Sequence, residues 1–243
     1  MGVHLSDRLR PLARRCAIAS LRPRTGLALT DSKFGGLPYA EEGDDWPVCK
    51  CGMPMAFICQ MDVRTAGLSE ELGLGFFTFF YCHACSSWGD DAVPQTTWTV
   101  RTYGAADKAK GVEIAPDGDI DEGHLAAECA IEWRAAQSLP DWDDICDLDP
   151  DIVETCNELN SASPWEAYDE ASQSITGAWP DTVTQLGGFP EWIQGAEMPP
   201  GFRLLAQIDS EDKANLMWGD VGRVYLFVSE SDPKDVRMCM QCC

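Results

Sequence analysis

The chain has 243 residues, 45% of them apolar, with 40 acidic side chains against 18 basic ones and a formal net charge of −22. That length is enough to bury a core, as one large domain or two small ones. The charge argues against nucleic acid as a partner, because binding it rests on neutralising phosphates with Lys and Arg, and no apolar run of about 18 residues is present to cross a membrane.

The first 24 residues carry six arginines and one acid, Asp7. They lack the continuous apolar stretch of a secretory signal. Residues 1–31 are expected to form a basic arm or strand leading into a single domain over 32–243. Within that domain the reading is a first repeat over about 32–104, an acidic helical insert over about 105–180, and a second repeat over about 181–243.

The repeat is visible as motifs. FGGLP (Phe34–Pro38), FICQMD (Phe57–Asp62) and GFFTFFY (Gly75–Tyr81) recur as LGGFP (Leu186–Pro190), LLAQID (Leu204–Asp209) and GRVYLFV (Gly222–Val228). Gln60 lies fifteen residues before Gly75, and Gln207 lies fifteen before Gly222. Each Gly-Gly-x-Pro predicts a shaped loop, and each apolar run predicts a short strand. The fold class is therefore α+β: an internally duplicated, sheet-rich assembly whose pseudo-symmetric halves share one core, with a helical insert between them.

At the end of the first repeat, Thr96–Tyr103 alternates as a strand does. GHLAAECAIEWRAAQS, Gly123–Ser138, predicts a helix with Leu125, Cys129, Trp133 and Ala136 at helical spacing. Asp149–Asn160 predicts another, with Pro150 in its first turn and Ile152, Cys156 and Leu159 on one face. A loop is expected around Ser172–Asp181. Seventeen acids and one base, Arg134, lie between Asp117 and Glu170. They form either a solvated face or a docking surface, for a basic protein or for the chain's own N-terminal arm. DGDIDEGHLAAE, Asp117–Glu128, approaches a calcium-loop pattern but has Glu122 where glycine is required, so an acidic turn capping the next helix is the better reading.

Of twelve cysteines, several cluster. Cys49 with Cys51, thirty residues ahead of Cys82 with Cys85, resembles a zinc ribbon or knuckle in the first repeat. In the second repeat the same register puts Ser229 and Asp232 opposite Cys82 and Cys85, and residues near Ala196 and Met198 opposite the other pair. All four cysteines are present in one repeat and absent from the other, as expected of one cooperative site binding a structural zinc. The C-x-C spacing is tight, which leaves open whether both Cys49 and Cys51 ligate, with His83 in reserve. Free thiols or a disulfide are the alternatives. Cys239, Cys242 and Cys243 have no complementary pair and suit a terminal strand. Clustered thiols and no export signal point to a reducing, cytoplasmic compartment.

No Ser-His-Asp set, nucleophile elbow or phosphate-cradling glycine loop is present. The motifs SKFGGLPY, WPVCKCGMPMAFICQMD, LGGFPEWIQ, LLAQID, MWGDVGRVYLF and a terminal QCC together resemble the YwqG-like family, a bacterial domain of unknown function. The resemblance runs from about Ser32 onward and implies an α+β fold with internal duplication and no established catalytic activity. More distantly, GGLP followed by CGMPMAFICQ is similar to the programmed cell death protein 2 family, whose members resemble chaperones that shield a ribosomal protein. The functional expectation is a non-enzymatic protein-interaction protein that shields, chaperones or neutralises a basic protein partner, an immunity-type role being a variant. The rivals are a metal-dependent hydrolase or transferase with an open cysteine-ligated zinc, and a ligand-binding module lined by Trp46, Trp88, Trp192 and Trp218.

Overall fold

A computed structural model describes residues 4–85, 96–179 and 183–242. Trp88 and Cys243 lie outside the described residues. In chain order the elements are α1 (Leu5–Leu9), β1 (Arg14–Pro23), β2 (Lys33–Phe34), β3 (Ala56–Asp62), α2 (Ser69–Leu72), β4 (Phe76–Tyr81), β5 (Trp98–Tyr103), β6 (Cys129–Ser138), α3 (Trp142–Leu148), α4 (Pro150–Leu159), α5 (Pro164–Thr176), β7 (Gln185–Gly187), β8 (Phe202–Asp209), β9 (Arg223–Ser229) and β10 (Val236–Gln241).

The ten strands form one sheet in the order β10-β9-β8-β7-β1-β6-β2-β3-β4-β5, and every pairing is antiparallel. The sheet curls nearly to closure. Trp98 on one edge strand and Val236 on the other belong to the same buried cluster, and Trp218 meets Phe79 and Tyr81 of β4 across it. Curling buries one face without a second layer and shortens the exposed edge. The fold is mixed α and β and rich in sheet.

β2, β3 and β4 stand on one side of the β1–β6 pair, and β7, β8 and β9 stand in the mirrored order on the other. A register break falls between Phe57 and Cys59 in β3, and another between Leu204 and Ala206 in β8. Both Gly-Gly turns use positive φ, 56° and 73° at Gly35 and Gly36 and 63° and 76° at Gly187 and Gly188. Only glycine adopts that conformation without strain.

Residues 129–138 correct the helix expected over Gly123–Ser138. They form β6, paired with β1 over ten residues from Arg14↔Ser138 to Pro23↔Cys129. Alanine and glutamate favour helix by a fraction of a kcal/mol each, whereas a ladder of this length with Cys129 and Ile131 buried outweighs that preference. The two-residue alternation Cys129–Ile131–Trp133 is its sequence trace. The acidic turn before it caps no helix: Asp121 caps a single 3-10 turn, and the Glu128 carboxylate accepts from the Gly26 and Leu27 amides.

β1 shows that the N-terminal segment is not peripheral, since it pairs with both β6 and β7 in the middle of the sheet. Ahead of it, α1 packs Leu5 and Leu9 against Ile145, Ile152, Cys156 and Tyr168, making a second small core with α3, α4 and α5. Arg8 donates to Thr155 Oγ1 at 2.9 Å and to the Asp151 carbonyl at 3.2 Å, and its guanidinium stands 3.7 Å from Asp149. The chain's own arm thus docks on part of the acidic block. α4 begins at Pro150, with Asp149 capping the Ile152 amide, but Leu159, expected on its buried face, is exposed. Of the loop expected around Ser172–Asp181, residues 172–176 are instead the last turns of α5, 177–179 are irregular, and the rest lies outside the described residues. The Tyr168 hydroxyl of α5 donates to the Pro140 carbonyl at 2.6 Å.

Candidate metal centre

Cys49 and Cys51 sit in a tight loop before β3, and Cys82 and Cys85 follow the end of β4. Cys49 N donates to the Met53 carbonyl and Gly52 N to the Cys49 carbonyl, each at 2.8 Å, and Gly52 closes the turn with φ 85°. On the other side, Cys85 N donates to the Cys82 carbonyl at 3.3 Å within a 3-10 turn. Lys50 N and Cys82 N donate to the carbonyls of Thr96 and Thr97. The two loops are thereby tied to the same chain segment.

The four sulfurs lie within 4.8 Å of one another. Cys49 Sγ is 3.4 Å from Cys85 Sγ, and Cys51 Sγ is 3.8 Å from Cys82 Sγ. A disulfide would close these to about 2.05 Å. The set could hold a metal ion, and both members of the C-x-C reach it. Amide groups face the sulfurs: the Met53 amide lowers the Cys51 thiol to about 7, with help from Cys49, while burial raises Cys49 and Cys82. Met55, Phe57, Phe80 and the edge of Trp46 pack behind the cluster and keep water from that side.

The Gly-Gly turns and this thiol group both fall within residues 32–238, which match the family described as Domain of unknown function (DUF1963). The chain belongs to that family. No curated protein matches it. β1 lies ahead of the span matched by DUF1963 and yet runs through the middle of the sheet.

His83, the reserve ligand, is not in the thiol group. Its ring stacks on His124 at 4.7 Å and on Trp218 at 6.0 Å, and burial lowers it to about 4. Near the C-terminus, Cys239 donates to the Glu197 carboxylate at 3.3 Å and is raised to about 12 by burial. Among the described residues the only cluster of metal-binding type is the four cysteines, so neither Cys239 with Cys242 nor the acids of Asp117–Glu128 form one. Cys16, Cys59, Cys129 and Cys156 are buried core residues.

The tryptophans separate. Trp46 packs edge-on to Phe80 with its indole N–H on the Met55 carbonyl, and Trp218 is 1% exposed in the main core. Neither borders the described cavity beside Trp192. Trp192 instead joins Trp142, Trp165 and Trp179 around a cavity of about 760 Å³ between α3, α5 and the turn after Gly188. Sequence reasoning missed this cleft. Its signal was the crowding of aromatic and acidic residues over 141–192.

Proposed function

We propose that the protein is a non-enzymatic, cytoplasmic interaction protein in which one structural zinc is held by Cys49, Cys51, Cys82 and Cys85, and whose acidic surface takes a basic protein partner. The observation that carries the zinc is the sulfur spacing. Four sulfurs about 2.3 Å from a tetrahedral centre stand about 3.8 Å apart, close to the 3.4 and 3.8 Å separations found. Bound zinc would supply a cross-link between the loop before β3 and the end of β4. Four thiolates would fill its tetrahedral sphere and leave no position for water or substrate, which favours a structural role over a hydrolase or transferase.

The two sets of strands, β2–β4 and β7–β9, are read as copies of one duplicated unit, supported by their mirrored order, matching register breaks and paired glycine turns. Where the first has Cys82 and Cys85, the second has a turn closed by its own groups, with Ser229 N on the Asp235 carbonyl and Asp235 N on that of Asp232. The motifs SKFGGLPY and LGGFPEWIQ support a place near the YwqG-like proteins. Clustered thiols suit a reducing compartment.

Metal analysis of untagged protein tests the zinc: the expected result is one zinc per chain, lost in Cys82→Ser/Cys85→Ser. Cobalt-substituted protein should show four-thiolate tetrahedral bands that ignore added anions, and a spectral response to anions would restore the open-site reading. The acidic surface is tested with an arginine-rich polypeptide as probe. Reversing Asp143, Asp147 and Asp151 to Lys should abolish its retention, and unchanged retention would sink the basic-partner reading.

A further inference from the structure

The cleft between α3, α5 and the second Gly-Gly turn combines two features. Its walls are aromatic, with Trp142, Trp165, Trp179 and Trp192 around the buried Tyr168. Its rim is anionic, with Asp141, Asp143, Asp169 and Glu191, and no basic side chain belongs to its described lining. Glu191 is already paired with Arg223 at 2.7 Å. Asp143 and Asp169 form no ion pair among the described residues. Trp165 is 47% exposed, a large apolar face turned to solvent at the mouth.

We propose that this cleft receives an arginine side chain from a basic polypeptide, the guanidinium stacking on the tryptophans and pairing with Asp143 and Asp169. This deepens the basic-partner reading and rests on it. A planar, weakly hydrated guanidinium suits both halves of the site, because it stacks on aromatic faces and pairs with carboxylates. The protein already uses both contacts with its own arginines. Arg14 lies 4.1 Å above the ring of Phe189, which also lines the cleft, and Arg8 docks on Asp149 and Thr155 of the neighbouring helix. Partial burial raises Asp141 and Asp169 of the lining, so these carboxylates are under-solvated and gain from an arriving cation. A cavity of about 760 Å³ exceeds one side chain and accommodates a short segment around it. That favours a polypeptide over a free small cation.

The test is calorimetric titration of the full chain with an Arg-Gly octapeptide, its Gln-Gly counterpart and argininamide. Trp165→Ala and Trp165→Phe leave the charge of the acidic surface untouched, and Glu154→Gln on α4 serves as a charge control. The expected result is binding of the arginine peptide alone, weakened about tenfold by Trp165→Ala and kept by Trp165→Phe and Glu154→Gln. Equal affinity for wild type and Trp165→Ala would overturn the cleft while leaving an acidic docking surface elsewhere. Argininamide binding as tightly as the peptide would overturn the polypeptide source. No binding of the arginine peptide to the wild type would overturn both the cleft and the basic-partner reading.

Discussion

Gln60 and Gln207 hold corresponding turns from corresponding strands: Gln60 Oε1 accepts from the Tyr39 amide at 2.7 Å, and Gln207 Oε1 accepts from the Glu191 amide at 2.9 Å. Each Nε2 reaches back to the chain ahead of its Gly-Gly turn, to the Leu29 and Asp31 carbonyls for Gln60 and to the Val183 carbonyl for Gln207. Both side chains are fully buried. Gln60 satisfies three backbone groups and Gln207 two, and an apolar residue of similar size leaves them unpaired. Gln60→Leu should therefore cost about 2–4 kcal/mol in urea denaturation, and Gln207→Leu a similar amount. A cost below about 1 kcal/mol for either would mean that the turns hold without their glutamines.

The thiol cluster makes a prediction with an internal control. Cys82→Ser should lower stability by at least about 3 kcal/mol, because metal binding free energy is folding free energy at such a site. Cys146→Ser, at an exposed thiol outside the cluster, should change it by less than about 0.5 kcal/mol. Chelator should lower the melting temperature of the wild type and leave that of Cys82→Ser unmoved. Equal sensitivity of the two proteins to chelator would argue against metal at these four sulfurs.

Burial raises Asp141 to about 6 from its ordinary value of 3.8, with the neighbouring Asp144 and Asp143 adding to the shift and amide donors opposing it. Between those values the folded state binds more protons than the unfolded chain, so this residue's contribution to stability falls as pH rises through about 4 to 6. Asparagine keeps the cap on the Asp143 amide, which Asp141 now provides at 3.3 Å, without the charge. Asp141→Asn should be more stable than wild type by about 1 kcal/mol above pH 6, after allowance for solvent screening, and equal to it below pH 4. Parallel stability curves over that range would show that the carboxyl is not shifted.

Removing residues 1–31 tests the place of β1. The family match begins at residue 32, yet without Arg14–Pro23 both β6 and β7 lose their common partner, and Leu9 leaves the helical core. The shortened chain should fail to give dispersed amide resonances, and a synthetic peptide spanning residues 4–24 should restore them. A folded chain without that peptide would mean that β6 and β7 pair directly.

Sequence alone determined the parts that rest on local or compositional chemistry. The glycine turns require a conformation few other residues adopt, the aromatic and β-branched runs suit strands, and two short cysteine spacings form a donor set wherever the chain brings them together. The acidic excess is likewise a property of residue content. Tertiary structure alone decided the rest. Ala-rich residues 129–138 are a strand because β1, more than a hundred residues earlier, offers a ladder that their own helix preference cannot match. Arg14–Pro23 is central because pairing partners lie at both its edges, which no local pattern records. Trp142, Trp165, Trp179 and Trp192 share a cleft because α3 and α5 fold against the second glycine turn, whereas Trp46 and Trp218 fall into cores. Spacing along the chain carries turns and ligand pairs, but long-range packing decides which surfaces meet.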